Sequence, residues 1–187
     1  MTSPLAFLMG QDLYLRPLLE DDCNGPYLAW FNDEEVCRGN SHHVFPRTRQ
    51  ELLDYVNKSH TRRDELILAI ILKDGDRHIG NIALQTIDPV YRSADLTILI
   101  GDKSTWGRGF GTEAAKLLCD HGFNALNLHR ISCGTFDTNI AMKKLALDLG
   151  MKQEGKRRDA VYKNGQYIDM IEFGVLRREY EKFRVKK

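Results

Sequence analysis

Gly107, Gly109 and Gly111 fall at every second position of WGRGFGT, and that spacing is the strongest chemical signal in the chain. Glycine reaches φ > 0 without steric cost, so such a run leaves main-chain N–H groups bare for an anion that no Cβ holds off. The residues before it alternate, Asp95, Thr97 and Leu99 against Ala94, Leu96, Ile98 and Ile100, which predicts a strand. Those after it keep a helical apolar period. A glycine turn between a strand and a helix start makes an anion site, because the first helical turn carries roughly half a positive charge and several unsatisfied donors. The expected ligand bears a phosphate or pyrophosphate.

Two common phosphate motifs are excluded by spacing. A Walker loop needs GxxxxGK followed by Ser or Thr, and no lysine follows a glycine here at that distance. A dinucleotide fingerprint needs GxGxxG within a parallel βαβ unit, but GRGFGT puts Thr112 at the last glycine and the preceding strands read as antiparallel. Cys23, Cys37, Cys119 and Cys133 form no CxxC pair, and the adjacent His42 and His43 would point apart on any regular element. Reduced structural thiols and no metal are expected.

The elements that must position the glycine turn follow from the rest of the chain. LYLRPL at 13–18 reads as a first strand, and DDCNGPYLAWFND as a helix start with an aromatic cluster of Tyr27, Trp30 and Phe31. Thr48 and Glu51 form a capping box that predicts a second helix over about 49–61. LILAIIL, KDGD and RHIGNIALQTI predict two strands joined at Asp74-Gly75, with Gly80 marking a bulge or a close backbone approach. DPVYRS at 88–93 turns the chain into a third antiparallel strand. RISCGTF at 130–136 is another, and DTN at 137–139 caps a helix carrying Met142, Leu145, Ala146 and Leu149 and stopped by Gly150. Strands at about 152–162 and 167–176 flank Asn164-Gly165, a strong hairpin signal. The order predicts an α+β fold.

Composition bounds what this fold can do. At 187 residues, 42% hydrophobic and 28% charged, the chain suits a single domain over 1–187. Lys+Arg 27 against Asp+Glu 26 leaves a net charge of +1, which argues against a nucleic-acid partner. The longest apolar runs are too short to span a bilayer, and MTSPLAFLMGQD lacks the basic start and full apolar core of a signal peptide. No membrane partner and a cytoplasmic location are expected.

WGRGFGT resembles the hallmark of the GNAT acetyltransferase superfamily, [Q/R]xxGx[G/A] at a strand-to-helix junction, with Trp106 departing at the first position. YLRP, WFND, IGNI, SADLTILIG, NLHRI, Asn139, LGMKQEG and the final hairpin extend the likeness over nearly the whole chain. It looks like the branch of ribosomal-protein alanine, spermidine and amino-sugar acetyltransferases. The resemblance implies a mixed, mostly antiparallel twisted sheet with a central splayed strand pair, flanked by about four helices. It implies acetyl-CoA as cosubstrate and direct attack by a primary amine, with no covalent enzyme intermediate.

Carried onto this sequence, the resemblance assigns the pyrophosphate to Trp106, Gly107, Arg108, Gly109, Phe110, Gly111 and Thr112, and pantetheine to the backbone of Ile98, Leu99 and Ile100 and to Asn139. Asp95 stands where relatives carry a base. The acid positions that relatives use are Ala146 and Met142 here, so water, Tyr162 or Cys133 is left to protonate the thiolate. Trp30, Asn32, Asp33, His42, His43, Tyr91, Asp169 and Tyr162 lie in acceptor-side segments, Trp30, Asn32, Tyr91 and Tyr162 being the expected contacts. A small polar amine such as an amino sugar is the expected acceptor. A protein N-terminus is the alternative, and a non-catalytic CoA-binding module the non-enzyme one. A monomer or homodimer is expected.

Overall fold

The computed structural model describes residues 5–185. Eight strands form one sheet in the order β1-β2-β3-β4-β5-β6-β8-β7: β1 Leu8–Met9, β2 Leu13–Pro17, β3 Leu66–Leu72, β4 Arg77–Asp88, β5 Ser93–Ile100, β6 Arg130–Phe136, β7 Lys152–Lys163 and β8 Gln166–Leu176. Neighbours pair antiparallel except β5 and β6, which are parallel because the helix between them carries the chain back across the sheet. Among the described residues five α-helices cover the faces: α1 Tyr27–Phe31, α2 Arg49–Ser59, α3 Phe110–Asn124, α4 Ile140–Asp148 and α5 Arg177–Val185. Among the described residues no helix is long and apolar enough to cross a membrane.

β3 shows why its sequence is an unbroken apolar run. Leu68, Ile70 and Leu72 pack with α3 and α4 on one face, while Ile67, Ala69 and Ile71 pack with α1 and α2 on the other. Both faces are therefore buried, each Leu or Ile contributing about 1.5–3 kcal/mol. In β5 the same alternation separates function from core. Ala94, Leu96, Ile98 and Ile100 point toward α3 and α4, whereas Leu99 belongs to the α1 and α2 cluster, with Asp95 and Thr97 exposed on that same side.

The local signals act as their chemistry requires. Glu51 N–H donates to Thr48 Oγ1 at 3.3 Å and Thr48 N–H to Glu51 Oε2 at 2.9 Å, which completes the capping box of α2. Asn164 and Gly165 take φ of 51° and 80°, the left-handed pair that a two-residue hairpin turn needs. Gly80 is both predicted things: the β3/β4 register shifts beside it, and a Cβ there would stand 2.2 Å from the Leu99 carbonyl oxygen.

The structure adds detail to the sequence reading of the fold. A two-residue β1 precedes the first strand, and α5 follows the last hairpin. α5 is seated by Tyr180, whose ring lies 5.0 Å from Phe123 and whose hydroxyl donates to Asp120. Among the described residues α5 makes a fifth α-helix, and α2 ends at Ser59. The β3–β4 turn is a 3-10 turn over Asp74–Asp76 rather than a two-residue one, with Gly75 at φ 73°. The edge strand β7 breaks register with β8 twice, between Gln153 and Gly155 and between Arg157 and Val161.

Candidate active site

β5 and β6 pair only over Ser93–Asp95 and Arg130–Ser132. Beyond that, β5 stays paired to β4 as far as Ile100 and β6 to β8 as far as Phe136, so the two strands part while each keeps an outer partner. The result is a V, closed at Asp95 and open toward the end of β5. Its inner edge along 96–100 carries main-chain groups with no strand partner, and such groups require another. One is already supplied: Trp106 Nε1–H donates to the Ile100 carbonyl at 2.9 Å. Ile98 and Ile100 turn their side chains toward Gly111 of α3 and Leu145 of α4, while Leu99 turns to the opposite face.

The glycine turn lies at the wide end. Gly107 and Gly109 take φ of 74° and 86°, and a Cβ on either would meet nothing within 4 Å. Glycine is thus required there by conformation, and the space above it is open. α3 makes its first helical bond from Glu113 N–H to the Gly109 carbonyl at 3.0 Å. The N–H groups of Phe110, Gly111 and Thr112 are left as the free donors of the helix start. Gly111 departs from the expected alternation, since it is helical and a Cβ on it would stand 3.6–3.7 Å from Ile98, Leu145 and Ile100. Phe110 is core, and the exposed Arg108 guanidinium stands 4.9 Å from its ring centroid. Trp106 likewise spends its indole N–H on β5, so it braces the turn.

At the closed end Asp95 accepts hydrogen bonds from Ser132 Oγ and, at 3.0 Å, from Thr86 Oγ1. The neighbouring carboxylates are ion-paired, Glu154 with Arg130 and Glu172 with Arg157. No ion pair is formed by Asp95 among the described residues. Across from Leu99, the Oδ1 of Asn81 is buried with no hydrogen-bond partner, an acceptor on the same face of the sheet. Sequence reading missed it, although a lone asparagine in the apolar IGNIAL strand is a visible signal.

The acceptor-side candidates do not all converge. Trp30 is only 6% exposed and lies on Gly101, where a Cβ would come within 1.9 Å of the indole, so most of its ring packs in the core. Asn32 uses its amide on both the N–H and C=O of Arg47, at 2.8 and 2.9 Å, closing the neck of the 32–47 segment. Tyr91 is 78% exposed in the turn before β5, held by Asp88, and meets none of the others. Tyr162 is 64% exposed at the tip of the β7–β8 hairpin, its ring 5.1 Å from Tyr167. Asp33 pairs with Lys103 and Asp169 with Lys156. His42 packs its ring 4.9 Å from Phe31, with burial holding its pKa below the ordinary value, and His43 sits at φ 63°.

Two further expectations change. Asn139 caps α4 by accepting from Met142 N–H at 3.1 Å and donates to the Gly39 carbonyl at 3.1 Å, which leaves one amide N–H for a ligand. Cys133 is 1% exposed in the α3 side of the core, its thiol pushed up to about 12 by burial, which makes it a poor proton donor. Ala146 is wholly buried in that same core.

Behind Trp30 lies a buried polar network. Arg16 holds Asp22 with two bonds of 2.7 and 2.8 Å, and Asp22 also accepts from Leu19 N–H. Burial acts to raise the Asp22 pKa, but Arg16 and Leu19 outweigh it and hold the carboxyl below its usual range. His78 sits 3.4 Å from Asp22 and against the rings of Tyr27 and Trp30; burial lowers its pKa despite the carboxylate. The neutral imidazole and the ion pair fix the floor on which α1 rests.

A sheet parted beside a glycine turn that opens a helix is the architecture of a coenzyme-A-dependent acyl transferase. The chain belongs to the acetyltransferase (GNAT) domain family, whose model matches residues 12–152. It is 30% identical over 175 residues to the uncharacterized N-acetyltransferase p20 of Bacillus licheniformis, a match covering 92% of this chain and 97% of that one. It is 32% identical over 107 residues to the spermidine N(1)-acetyltransferase of Escherichia coli K12, covering 57% and 56% of the two chains. Its fold superposes with a TM-score of 0.82 on a spermidine N-acetyltransferase of Vibrio cholerae solved with CoA and spermine, at 24% identity, covering 91% of this chain and 98% of that one. The chain is therefore an acetyl-CoA-dependent N-acetyltransferase.

Proposed function

We propose that the chain, acting as one domain over residues 1–187, moves the acetyl group of acetyl-CoA to a primary amine standing at Asp95. The observation that supports this most directly is the V itself, with free helix-start donors at its wide end and a carboxylate without an ion pair at its closed end. Gly107 to Thr112 would hold the pyrophosphate. The inner edge of 98–99 would pair with pantetheine and offer N–H groups to the carbonyl oxygen as charge develops there. The ammonium gives a proton to Asp95, directly or through water. Its lone pair then attacks the thioester carbon, a C–N bond forms, the C–S bond breaks, and the nitrogen gives its second proton to water. With the Cys133 thiol buried and its pKa raised, water protonates the departing thiolate, a modest task for a thiol of pKa ~8.5.

The acceptor is a small polar amine of single charge, such as an amino sugar. Glu154 and Glu172 are already neutralised by arginine, so one carboxylate remains for one ammonium, and a polyamine would require more. The spermidine-acetylating relative favours a polyamine as the second reading. Four buried free cysteines fit the cytoplasm, and a monomer or homodimer would suffice.

Thiol release from acetyl-CoA against a panel of amino sugars, peptides and polyamines tests this. One amino sugar should be turned over fastest, and Asp95→Asn should lower kcat about 100-fold with CoA affinity unchanged. Spermidine as the best substrate would overturn the acceptor assignment, and CoA binding without turnover of any amine would overturn the catalytic one.

A further inference from the structure

The segment joining α1 to α2, residues 32–48, is long for a helix connection and is fastened on every side. Lys163 at the β7–β8 hairpin donates to three of its carbonyls, those of Cys37, Asn40 and His42, at 2.7, 2.7 and 2.8 Å. Asn139 at the start of α4 donates to the Gly39 carbonyl. Lys103, just after β5, binds Asp33 at 2.8 Å and Glu35 at 2.7 Å. The segment is thus a strap from the acceptor side to the elements that carry the glycine turn.

What the strap delivers is Arg38. Its guanidinium lies over the Trp106 ring, 5.6 Å from the centroid, beside Gly107. Arg38 is exposed and has no carboxylate partner among the described residues, although Asp33, Glu34 and Glu35 are close in sequence. An exposed cation–π contact is worth only about 0.5–1 kcal/mol and uses none of the N–H donors of the guanidinium. It orients a planar fork and leaves that fork empty. Arg108, equally without a carboxylate, stands on Phe110 on the far side of the same glycines. Two stacked, carboxylate-free guanidiniums flanking bare N–H groups suit a phosphate, the anion whose oxygens such a fork engages in pairs.

We propose that Arg38 is a ligand of the cosubstrate's phosphates, brought to the glycine turn by the strap, and that Lys163 is the positioning residue that sets it there. This rests on the reading of Gly107 to Thr112 as the pyrophosphate site. Because the strap also borders the acceptor side, donor binding would brace the wall that the amine meets.

CoA titration calorimetry on the full chain, at low and high salt, tests it. Arg38→Gln should weaken CoA about tenfold and make log Kd less steep in log salt, with the melting temperature unchanged. Lys163→Met should weaken CoA in the same direction and by less, and the double variant should bind no worse than Arg38→Gln alone. A CoA Kd within twofold of the parent, or a loss with the parent's salt slope, overturns the Arg38 assignment. Additive losses in the double variant overturn the Lys163 one. Gly109→Val separates this from the reading beneath it: if that change leaves CoA binding intact, the pyrophosphate site itself is wrong, whereas if it abolishes binding and Arg38→Gln does not, only Arg38 is.

Discussion

The two faces of the sheet solve their tasks with different parts of the chain. On the α3 and α4 face, the proposed pyrophosphate site is made of consecutive main chain: two glycines at positive φ and the first N–H groups of one helix. On the α1 and α2 face, the proposed acceptor side is assembled from side chains far apart in sequence. Lys163 reaches Cys37 across 126 residues, Asn139 reaches Gly39 across 100, and Lys103 reaches Glu35 across 68. A shared cofactor can be met by a short, self-contained turn. An acceptor wall composed of distant residues can be changed piece by piece, except where the strap ties it to that turn through Lys163 and Arg38.

If the faces are separable, damage to one should spare the other, and the largest effect should come from the floor of the acceptor side. Asp22→Asn leaves Arg16 buried and unpaired, so urea denaturation should show a loss of about 3–5 kcal/mol. A loss under 1 kcal/mol would mean that the network is not structural. Gly109→Val forces a β-branched residue to φ 86°, a strain of about 1–3 kcal/mol at the helix start, and CoA affinity should fall at least 30-fold. Asp95→Asn should do the converse, reducing turnover with CoA affinity intact; equal losses of both would merge the two faces into one unit.

The smallest effect is a pH trend. His78 is held neutral by burial below its ordinary pKa, so the unfolded chain takes up its proton first as pH falls. Its contribution is complete above about 6.5 and is lost on acidification through the folded value. Asp22, also depressed in the fold, adds a second loss below about pH 4. Urea midpoints measured from pH 7 to pH 3 should fall in two stages, and His78→Gln should flatten the first. A single stage unaffected by that change would remove the histidine from the account.

The same division decides what could be read from the sequence. The glycine turn, the Thr48 capping box and the Asn164-Gly165 hairpin are local, their reasons lying within a few residues, and each formed as its chemistry dictates. Trp30 was ambiguous because an aromatic at helical spacing can face either a pocket or the core, and only Gly101, 71 positions on (101 − 30), settles it. Asn139 was visible as a cap, but its tie to Gly39 was not. The parting of β5 from β6 came by resemblance rather than from pattern, since alternation describes a strand without naming its neighbours. The strap had no sequence signal, because its charges and carbonyls look like an ordinary solvated loop until Lys163, Lys103 and Asn139 are folded against it.

The outer rims of the sheet carry one more consequence. An open sheet of eight strands ends in two rows of unpaired main-chain groups, which invite another chain to continue the ladder. Here one rim is β1, only two residues long. The other is β7, whose register breaks twice and which carries Lys152, Lys156, Arg157 and Arg158. A neighbouring molecule would find too little edge on one side and a kinked edge dense in charged side chains on the other. Growth of the sheet from molecule to molecule, the first step toward a fibril, is therefore blocked at both rims.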